Sequence, residues 1–315
     1  MKYRKLGNSE LYVSEISLGT WGVYEGVNED NVKACIYRAF DLGINLIDTS
    51  NSYASGRAES FLGETLKTFD RLSYILATKV FFPTSPTDRG LSASQIKKQI
   101  DASLNRLGTD YVDLYQCHRY DPDTPLEETM TALTEIVRQG KVRYIGFSEW
   151  NREQIQAACS FTNLEPFVAS QPQYSMLWRD PETEVFSLCA DHGIGQLAWS
   201  PLAQGILSGK YAPGQAPPQN SRAANKKMNA YLLRELFSES NLRTVQTLKP
   251  IAQDLDLTLS QLALAWVLRS QWVASAIVGV SRPEHIIDNV SASGVTLEID
   301  TLESIDRILL SKIQK

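Results

Sequence analysis

The sequence predicts an α/β fold: a single (β/α)8 TIM barrel with an N-terminal β-hairpin and a long loop after the seventh barrel strand. Short apolar runs that end at polar residues alternate with segments whose apolar residues recur at helical spacing. Glycine follows the last helical turn of several of these segments, as is common at helix C-termini. Eight such strand–helix units fit within the 315 residues, as a closed barrel requires.

The predicted elements follow one another in a regular order. A hairpin at residues 3–13 surrounds the turn Gly7-Asn8-Ser9, and we expect it to close the bottom of the barrel. The barrel strands are predicted at residues 16–18, 44–47, 74–78, 112–117, 142–147, 167–170, 195–199 and 276–278. The helices are predicted at residues 29–43, 57–69, 94–107, 126–139, 152–161, 181–192, 258–270 and 283–291.

One long segment, residues 203–240, interrupts this order. It contains Pro213, Gly214, Pro217 and Pro218, and it is predicted to be irregular. Loops of this length in compact domains are usually lids or binding segments, so we expect it to lie over the functional site.

Two alternatives to one barrel need to be weighed. Length alone would also allow two domains, and a doubly wound open sheet has the same alternation of strands and helices. Such a sheet binds nucleotides at a Gly-x-Gly-x-x-Gly motif, which follows none of the predicted strands. Residues 205–210 resemble a phosphate loop, but the spacing is one residue short and Tyr211 replaces the required Ser or Thr. We therefore favour one barrel domain over residues 1–315.

The amino-acid composition limits the kinds of partner that we expect the protein to bind. The net charge of -5 and a pI near 5.4 argue against nucleic acid or an anionic membrane surface, since both need clustered Lys and Arg. The N-terminus lacks the apolar core of a signal peptide, and the longest apolar patch, around residues 262–268, is too short to span a bilayer. The four cysteines are scattered and the three histidines lack metal-ligand spacing. We expect a cytoplasmic protein without a bound metal, whose partner is a small molecule or a protein.

Polar residues end three consecutive predicted strands. Asp48 ends the second strand and Tyr53 follows it closely, Lys79 ends the third and His118 the fourth. The working residues of barrels lie at the carboxyl ends of the strands, so these side chains are predicted to converge. Taken singly, each residue is more often a packing, capping or solvated side chain. Four of them at matching strand ends favour a catalytic site.

A series of motifs follows the predicted strands in order: Gly43-Ile44-Asn45-Leu46-Ile47-Asp48-Thr49-Ser50 with Tyr53, Thr78-Lys79, His118, Gly146-Phe147-Ser148 and Trp199-Ser200-Pro201-Leu202. In these motifs and their order the sequence resembles the aldo-keto reductase family, and the resemblance runs from about Tyr3 to beyond Asn289. The sequence is most similar to the branch that contains the voltage-gated potassium-channel β subunits and their bacterial reductase relatives. Three passages indicate this branch: Pro172-Gln173-Tyr174-Ser175-Met176, Ser208-Gly209-Lys210-Tyr211 and Ser221-Arg222.

The resemblance implies an NADPH-dependent reductase that converts aldehydes and ketones to alcohols. Tyr53 is the expected general acid, because negative charge grows on the carbonyl oxygen during hydride addition. A neighbouring Lys79 would ease release of the phenolic proton, and Asp48 would hold Lys79 in place. His118 is expected to orient the carbonyl as a neutral imidazole.

The resemblance also implies the contacts of the nicotinamide and the pyrophosphate. Trp199 would stack on the nicotinamide, while Ser148 and Gln171 would bind its carboxamide. The pyrophosphate would lie along Ser200, Leu202, Gln204 and Lys210. Further contacts are expected from strand ends and from the loop after the seventh strand: Thr20, Trp21, Asp48 and Pro201.

The adenosine end is predicted to lie after the eighth strand, where residues 279–284 open a helix. Its N-terminal amide groups suit an anion, and Gly279 and Ser281 belong to this turn. Three basic residues at this end favour the 2′-phosphate of NADPH over NADH: Arg222, Arg282 and His285. Two residues of the helix match family positions that face the adenine: Asp288 and Asn289. His285 departs from the branch, where the position is commonly Gln.

Aromatic residues near the loop starts are candidates for the wall of a substrate pocket: Trp21, Tyr24, Phe81, Trp150 and Trp178.

A second hypothesis for the function is a redox-sensing auxiliary subunit of a potassium channel that binds NADPH and turns over slowly. Channel-associated members often carry Asn at the position of His118 and an extra N-terminal segment, so we favour the enzyme. A third hypothesis is an unrelated barrel enzyme without a nicotinamide cofactor. Relatives in this branch form dimers, tetramers or octamers, so a homo-oligomer is possible.

Overall fold

The predicted barrel is confirmed by the computed structural model, which describes residues 1–21, 29–219, 221–225, 235–279 and 281–310. The strands in these ranges are β1 (Tyr3–Lys5), β2 (Tyr12–Ser14), β3 (Ile16–Gly19), β4 (Leu46–Asp48), β5 (Ile75–Val80), β6 (Val112–Cys117), β7 (Val142–Ser148), β8 (Phe167–Gln171), β9 (Gly195–Trp199) and β10 (Val273–Val278). Strands β3 to β10 are parallel and pair in sequence order, and β10 pairs with β3 to close the barrel.

Helices cover the outside of the barrel, and several begin at the capping residues that the sequence provides. The Asn151 side chain accepts from the amide of Gln154 at 2.9 Å, while the Gln154 side chain accepts from the amide of Asn151. The described helices are α1 (Glu29–Asp41), α2 (Arg57–Leu66), α3 (Ala93–Leu107), α4 (Leu126–Arg138), α5 (Arg152–Cys159), α6 (Val185–Asp191), α7 (Glu239–Thr247), α8 (Lys249–Asp254), α9 (Leu259–Leu268), α10 (Pro283–Val290) and α11 (Ile299–Leu310). None of the helices in the described ranges is both long and apolar enough to cross a membrane.

The N-terminal hairpin closes the bottom of the barrel, as predicted. The buried side chains of Leu6, Leu11 and Val13 pack in one apolar cluster with inward-facing residues of the barrel strands. The amide of Asn8 donates to the carbonyl of Gly193 at 2.7 Å, just before β9 begins. Each fully buried leucine contributes roughly 1.5–3 kcal/mol to the stability of the fold, so the hairpin is a stabilising plug at this end of the barrel. The catalytic residues of such barrels lie at the other end.

The second barrel strand was placed too early. The apolar run suggested residues 44–47, but β4 begins at Leu46 and ends at Asp48. Asn45 is used to attach the hairpin instead, because its Oδ1 accepts from the amide of Ser14 and its Nδ2 donates to the carbonyl of Tyr12, both at 2.8 Å. The strand therefore starts only after this bridging residue.

The segment after β9 is more regular than the sequence suggested. A short 3₁₀ segment covers Ala203–Ser208, and α7 begins at Glu239, inside the range predicted to be irregular. Helices α7, α8 and α11 have no counterpart among the predicted helices. The predicted helix at residues 181–192 is divided into a 3₁₀ turn, Asp180–Glu182, and α6.

Candidate active site

The buried ammonium of Lys79 is the centre of the polar cluster at the carboxyl end of the barrel. Its Nζ lies 2.5 Å from Asp48 Oδ2, 2.9 Å from the carbonyl oxygen of Thr49 and 3.3 Å from Tyr53 Oη. The Lys79 side chain is 0% exposed, and an ammonium carries three donors. All three donors are therefore matched to acceptors at the end of β4 or in the turn that follows it.

A tight turn brings Tyr53 back to Lys79 after β4. Ala54 and Ser55, which follow the tyrosine, adopt left-handed φ angles of 49° and 56° before α2 begins. Residues other than glycine rarely hold this conformation, and such strain is concentrated at functional sites. The turn places the phenol over the barrel interior beside the ammonium.

Two glutamine side chains hold the other oxygen of Asp48. Gln171 Nε2 donates to Asp48 Oδ1 at 2.9 Å, and Gln116 Nε2 donates to it at 3.3 Å. Gln171 Nε2 also lies 3.4 Å from Gln116 Oε1, so both of its amide protons have acceptors. Only the side-chain oxygen of Gln171 is therefore left to bind the carboxamide of the nicotinamide. Sequence reasoning missed Gln116, although a glutamine within the apolar run of β6 was the available signal.

His118 lies against Tyr53 and has a neutral ring. Its Nδ1 lies 3.2 Å from Ser50 Oγ, and the rings of His118 and Tyr53 meet edge to face with centroids 5.7 Å apart. Burial, together with the charges of Lys79 and Arg119, holds the pKa of His118 well below its ordinary value. When Ser50 donates to Nδ1, the ring proton is on Nε2, which is then a hydrogen-bond donor.

The charges of Tyr53 and Lys79 are set by opposing effects. Burial raises the pKa of Tyr53 above its ordinary value, and the charge of Lys79 opposes this without reversing it. Burial disfavours the Lys79 ammonium, but Asp48 and Tyr53 outweigh this and raise the pKa of Lys79. The cluster at neutral pH therefore combines an ion pair with a protonated phenol and a neutral imidazole.

Trp199 is held by a carboxylate that sequence reasoning missed. Its indole Nε1 donates to Glu149 Oε1 at 2.8 Å, and the backbone amide of Gln173 donates to the same oxygen at 2.5 Å. Glu149 itself has a left-handed φ of 58°. The signal was its position, directly after Ser148 at the end of β7. Ser148 Oγ donates to the carbonyl of Gln171 at 2.7 Å, which joins the ends of β7 and β8.

The backbone after β9 forms tight turns with left-handed residues beside Lys210. Ser200, Ala203, Gln204 and Gly205 all have positive φ angles, of 54°, 47°, 57° and 94°. The amides of Ala203 and Gly205 donate to the carbonyls of Ser200 and Leu202, at 2.8 and 2.9 Å, so these turns are closed by their own backbone. A Cβ on Gly205 would lie 3.0 Å from Lys210 Nζ, so the ammonium lies directly over this backbone. Pro201 is buried and Leu202 half-buried beside it.

Four basic residues lie around this turn. Burial and the charge of Arg222 lower the pKa of Lys210, while desolvation and the charges of Lys210 and Arg282 lower the pKa of His285. None of Lys210, Arg222 and Arg282 forms a salt bridge with a residue that the structure describes. Glu284 and Asp288 also act on His285, but the guanidinium and ammonium groups that crowd together here suit a phosphate-bearing ligand, so the residues present fit a dinucleotide with an additional phosphate.

The remaining predicted contacts are divided between the site and the scaffold. Thr20 Oγ1 donates to Thr49 Oγ1 at 2.9 Å, and the Arg222 guanidinium lies 4.8 Å from the ring centroid of Trp21, so both belong to this end of the barrel. Gly279 follows β10, Ser281 is exposed before α10, and Asn289 is buried on α10.

Asp288 has a structural role in the described residues. Its Oδ1 accepts from Thr258 Oγ1 at 3.1 Å and from Gln261 Nε2 at 2.9 Å, at the start of α9. Both donors belong to the capping box of α9, in which Thr258 is the N-cap and Gln261 the third residue. The carboxylate therefore ties α10 to the beginning of α9.

The predicted pocket wall needs correction. Trp150 is only 3% exposed and packs against Phe147 and Phe167, with ring centroids 5.2 and 5.3 Å away, so it belongs to the core. Phe82, which sequence reasoning missed, has its ring centroid 4.8 Å from that of His118. Tyr24 lies outside the described residues, as part of 22–28.

A cavity of about 590 Å³ lies away from these residues, near the start of β10, and contains none of the predicted site residues. Arg4, Arg269 and Trp272 contribute to its lining. Because the hydrogen-bonded cluster around Lys79 is at the opposite end of the strands, we base the candidate site on the cluster. No group of three or more metal-ligating side chains is arranged to hold an ion within the described ranges.

Comparison with known proteins decides the family. The model of the Aldo/keto reductase family matches residues 15–310. The chain belongs to this family. The aldo/keto reductase assignment excludes an unrelated barrel enzyme, and together with the fold it supports an oxidoreductase.

The relatives of this aldo/keto reductase confirm the predicted branch. A protein named putative voltage-gated potassium channel subunit beta, from Schizosaccharomyces pombe, is 41% identical over 98% of this chain and 93% of its own length. A probable voltage-gated potassium channel subunit beta from Arabidopsis thaliana is 38% identical over 100% of this chain and 96% of its own length. A crystal structure of a thermostable aldo-keto reductase with the inhibitor epalrestat has a TM-score of 0.79 and 30% identity, and covers 98% of this chain and 100% of its own.

Proposed function

We propose that this protein is an NADPH-dependent reductase of aldehydes and ketones in which Tyr53 is the general acid. The observation that carries the proposal is the set of contacts of Lys79, whose Nζ bridges Asp48 at 2.5 Å and Tyr53 at 3.3 Å inside the barrel. A buried, protonated phenol beside a fixed cation is suited to give up its proton as negative charge develops nearby.

The side chains divide the chemistry among them. NADPH, when bound, supplies the hydride that adds to the carbonyl carbon. Tyr53 donates its proton to the carbonyl oxygen, and the charge of Lys79 stabilises the phenolate that remains. His118 Nε2 donates a hydrogen bond to the same oxygen and so orients the substrate. Asp48 keeps Lys79 charged and in place.

The preference for NADPH is proposed from the basic residues beyond β9 and β10. Lys210, Arg222 and Arg282 place positive charge where the pyrophosphate and the 2′-phosphate would lie, and the imidazole of His285 lies among them. Trp199, held by Glu149, offers a flat ring for the nicotinamide.

A panel of aldehydes and ketones tests the function directly. Oxidation of NADPH is followed by absorbance for each carbonyl compound, in parallel with NADH at the same concentration. The proposal expects turnover of several compounds, with a higher kcat/KM for the cofactor NADPH. Absence of turnover with both cofactors, from protein whose tryptophan fluorescence responds to NADPH, would contradict it.

A second candidate is an auxiliary subunit of a potassium channel with weak reductase activity. The favouring observation is that two relatives, at 41% and 38% identity, are named as such subunits. Purification of this chain from its own cells would distinguish the candidates: a potassium-channel protein recovered at fixed stoichiometry supports the subunit. We favour the enzyme, acting in the cytoplasm on a small carbonyl compound without nucleic acid or membrane, and as a possible homo-oligomer.

A further inference from the structure

Arg119 lies among the candidate catalytic groups but has no part in the chemistry described so far. Its Nη1 donates to the carbonyl oxygen of His118 at 2.5 Å and lies 3.4 Å from Ser148 Oγ. Its guanidinium carbon lies 5.4 Å from the ring centroid of Phe82, which itself packs against His118. The guanidinium therefore lies at the carboxyl ends of β6 and β7, beside the position proposed for the carbonyl.

Four guanidinium groups that are partly buried away from the proposed cofactor contacts differ from Arg119 in their partners. They lie 2.7–2.9 Å from a carboxylate oxygen in each of these pairs: Arg4 with Glu15, Arg71 with Asp113, Arg106 with Glu59 and Arg269 with Glu182. Arg119 forms no salt bridge with any residue in the described part of the chain, and the two acceptors near its Nη1 are uncharged. A partly desolvated cation without an anion is costly, and a ligand that supplies the anion removes that cost.

The carboxylate of Glu149 does not fill this role. Its charge acts on Arg119 and raises the pKa of the guanidinium, which burial lowers. However, Glu149 Oε1 accepts from Trp199 Nε1 and from the amide of Gln173, both of which lie toward β8 and β9. The carboxylate is thus held beside the proposed nicotinamide platform and forms no salt bridge with Arg119.

We propose that Arg119 is the anion-binding residue of the substrate pocket, and that the preferred substrates are aldehydes or ketones that carry a carboxylate. The inference rests on the proposed reductase function and specifies its substrate class. A planar guanidinium binds a carboxylate through two parallel hydrogen bonds, so it selects an oxo acid over a neutral carbonyl compound of similar size.

Matched substrates test the proposal. kcat/KM is measured with NADPH for 2-, 3- and 4-carboxybenzaldehyde and for their methyl esters. We expect at least one acid to exceed its ester by about tenfold or more, as a charge-assisted hydrogen bond allows. The ratio of acid to ester should fall to about one in Arg119→Gln and be partly retained in Arg119→Lys. The exposed Arg89, changed to Gln, is the control and should leave the ratio unchanged.

Binding provides a readout that does not need turnover. Protein saturated with NADP⁺ is titrated calorimetrically with each carboxybenzyl alcohol and its methyl ester. Tighter binding of an acid, lost in Arg119→Gln while the thermal melting temperature is kept, supports the subsite. Equal affinities for acids and esters in the unmodified protein, or a preference that survives in Arg119→Gln, would overturn it. Turnover of esters and acids at equal rates would overturn the subsite but leave the reductase function standing. If no compound is turned over, the proposed function fails and the titration still decides the role of Arg119.

Discussion

At the level of single residues, the buried ion pair of Lys79 and Asp48 contributes both to the stability of the fold and to the proposed chemistry. Removing one member of a buried pair leaves an uncompensated charge, which typically costs about 3–5 kcal/mol. We therefore expect Lys79→Met to lower the free energy of unfolding by about this amount in urea denaturation. Lys97→Met is the matched control, because Lys97 pairs with Glu135 at 2.6 Å with both side chains more than 40% exposed. It should cost about 1 kcal/mol or less, and an equal loss in both variants would contradict a buried pair.

The neutral ring of His118 gives stability a dependence on pH. Burial and the charges of Lys79 and Arg119 lower the pKa of His118, so the unfolded chain binds a proton at this position more readily than the folded protein does. Stability should therefore fall as the pH falls below about 6.5, the ordinary value for histidine. Unfolding in urea at about pH 7 and pH 5 should show a smaller loss for His118→Asn than for the unmodified protein. The exposed His192, changed to Asn, should keep the full loss. An unchanged loss in His118→Asn would show that the folded protein protonates His118 as readily as the unfolded chain does.

At the scale of elements, the contact of α2 with α3 depends on Gly63. A Cβ at this position would lie 2.6 Å from the carbonyl oxygens of Arg106 and Leu107. Alanine favours a helix over glycine by about 0.5–1 kcal/mol, but overpacking of this kind costs about 1–3 kcal/mol. We expect Gly63→Ala to be destabilising in thermal unfolding. Its neighbour Glu64 is exposed, and Glu64→Ala should change the stability by no more than about 0.5 kcal/mol. A stabilised Gly63→Ala would show that the helices can separate without loss.

The elements also show how far the sequence could predict the site. Asp48, Lys79 and His118 could be found because each ends an apolar run, and strand ends meet at one face of a barrel. The start of β4 could not be placed, since Ile44 continues the apolar run although Asn45 binds the hairpin. Gln116, Glu149 and Arg119 were missed because a polar residue within a strand, or just after its end, does not reveal which neighbour it will face. Those contacts depend on the barrel register, which pairs distant segments.

At the scale of the whole molecule, stability and chemistry lie at opposite ends of the barrel. Leu6 is fully buried in the plug at the bottom, and truncation of a buried leucine costs about 2–5 kcal/mol. We expect Leu6→Ala to lower the midpoint of urea unfolding while the dissociation constant for NADPH stays unchanged. Leu72 is 83% exposed, so Leu72→Ala should change neither quantity. Weakened NADPH binding in folded Leu6→Ala would contradict the separation of the two ends.

The arrangement of the strands explains why one end is polar. Leu46, Ile75 and Leu114 fill the lower barrel together with the hairpin, whereas Asp48, Lys79 and their partners occupy the same strands further along. A buried ion pair is tolerated there because Asp48 accepts hydrogen bonds at both carboxylate oxygens and Lys79 has three acceptors. The scaffold thus holds the ammonium in position for Tyr53.

The role of Tyr53 is tested by the turnover of Tyr53→Phe, because this substitution removes only the phenolic oxygen from the site. General acid catalysis is worth about 10²–10⁴ in rate, so kcat/KM for a carbonyl compound should fall by that factor. The dissociation constant for NADPH, measured by tryptophan fluorescence, should remain that of the unmodified protein. Turnover within about threefold of the unmodified protein, from folded Tyr53→Phe that binds NADPH, would contradict the assignment of Tyr53 as the acid.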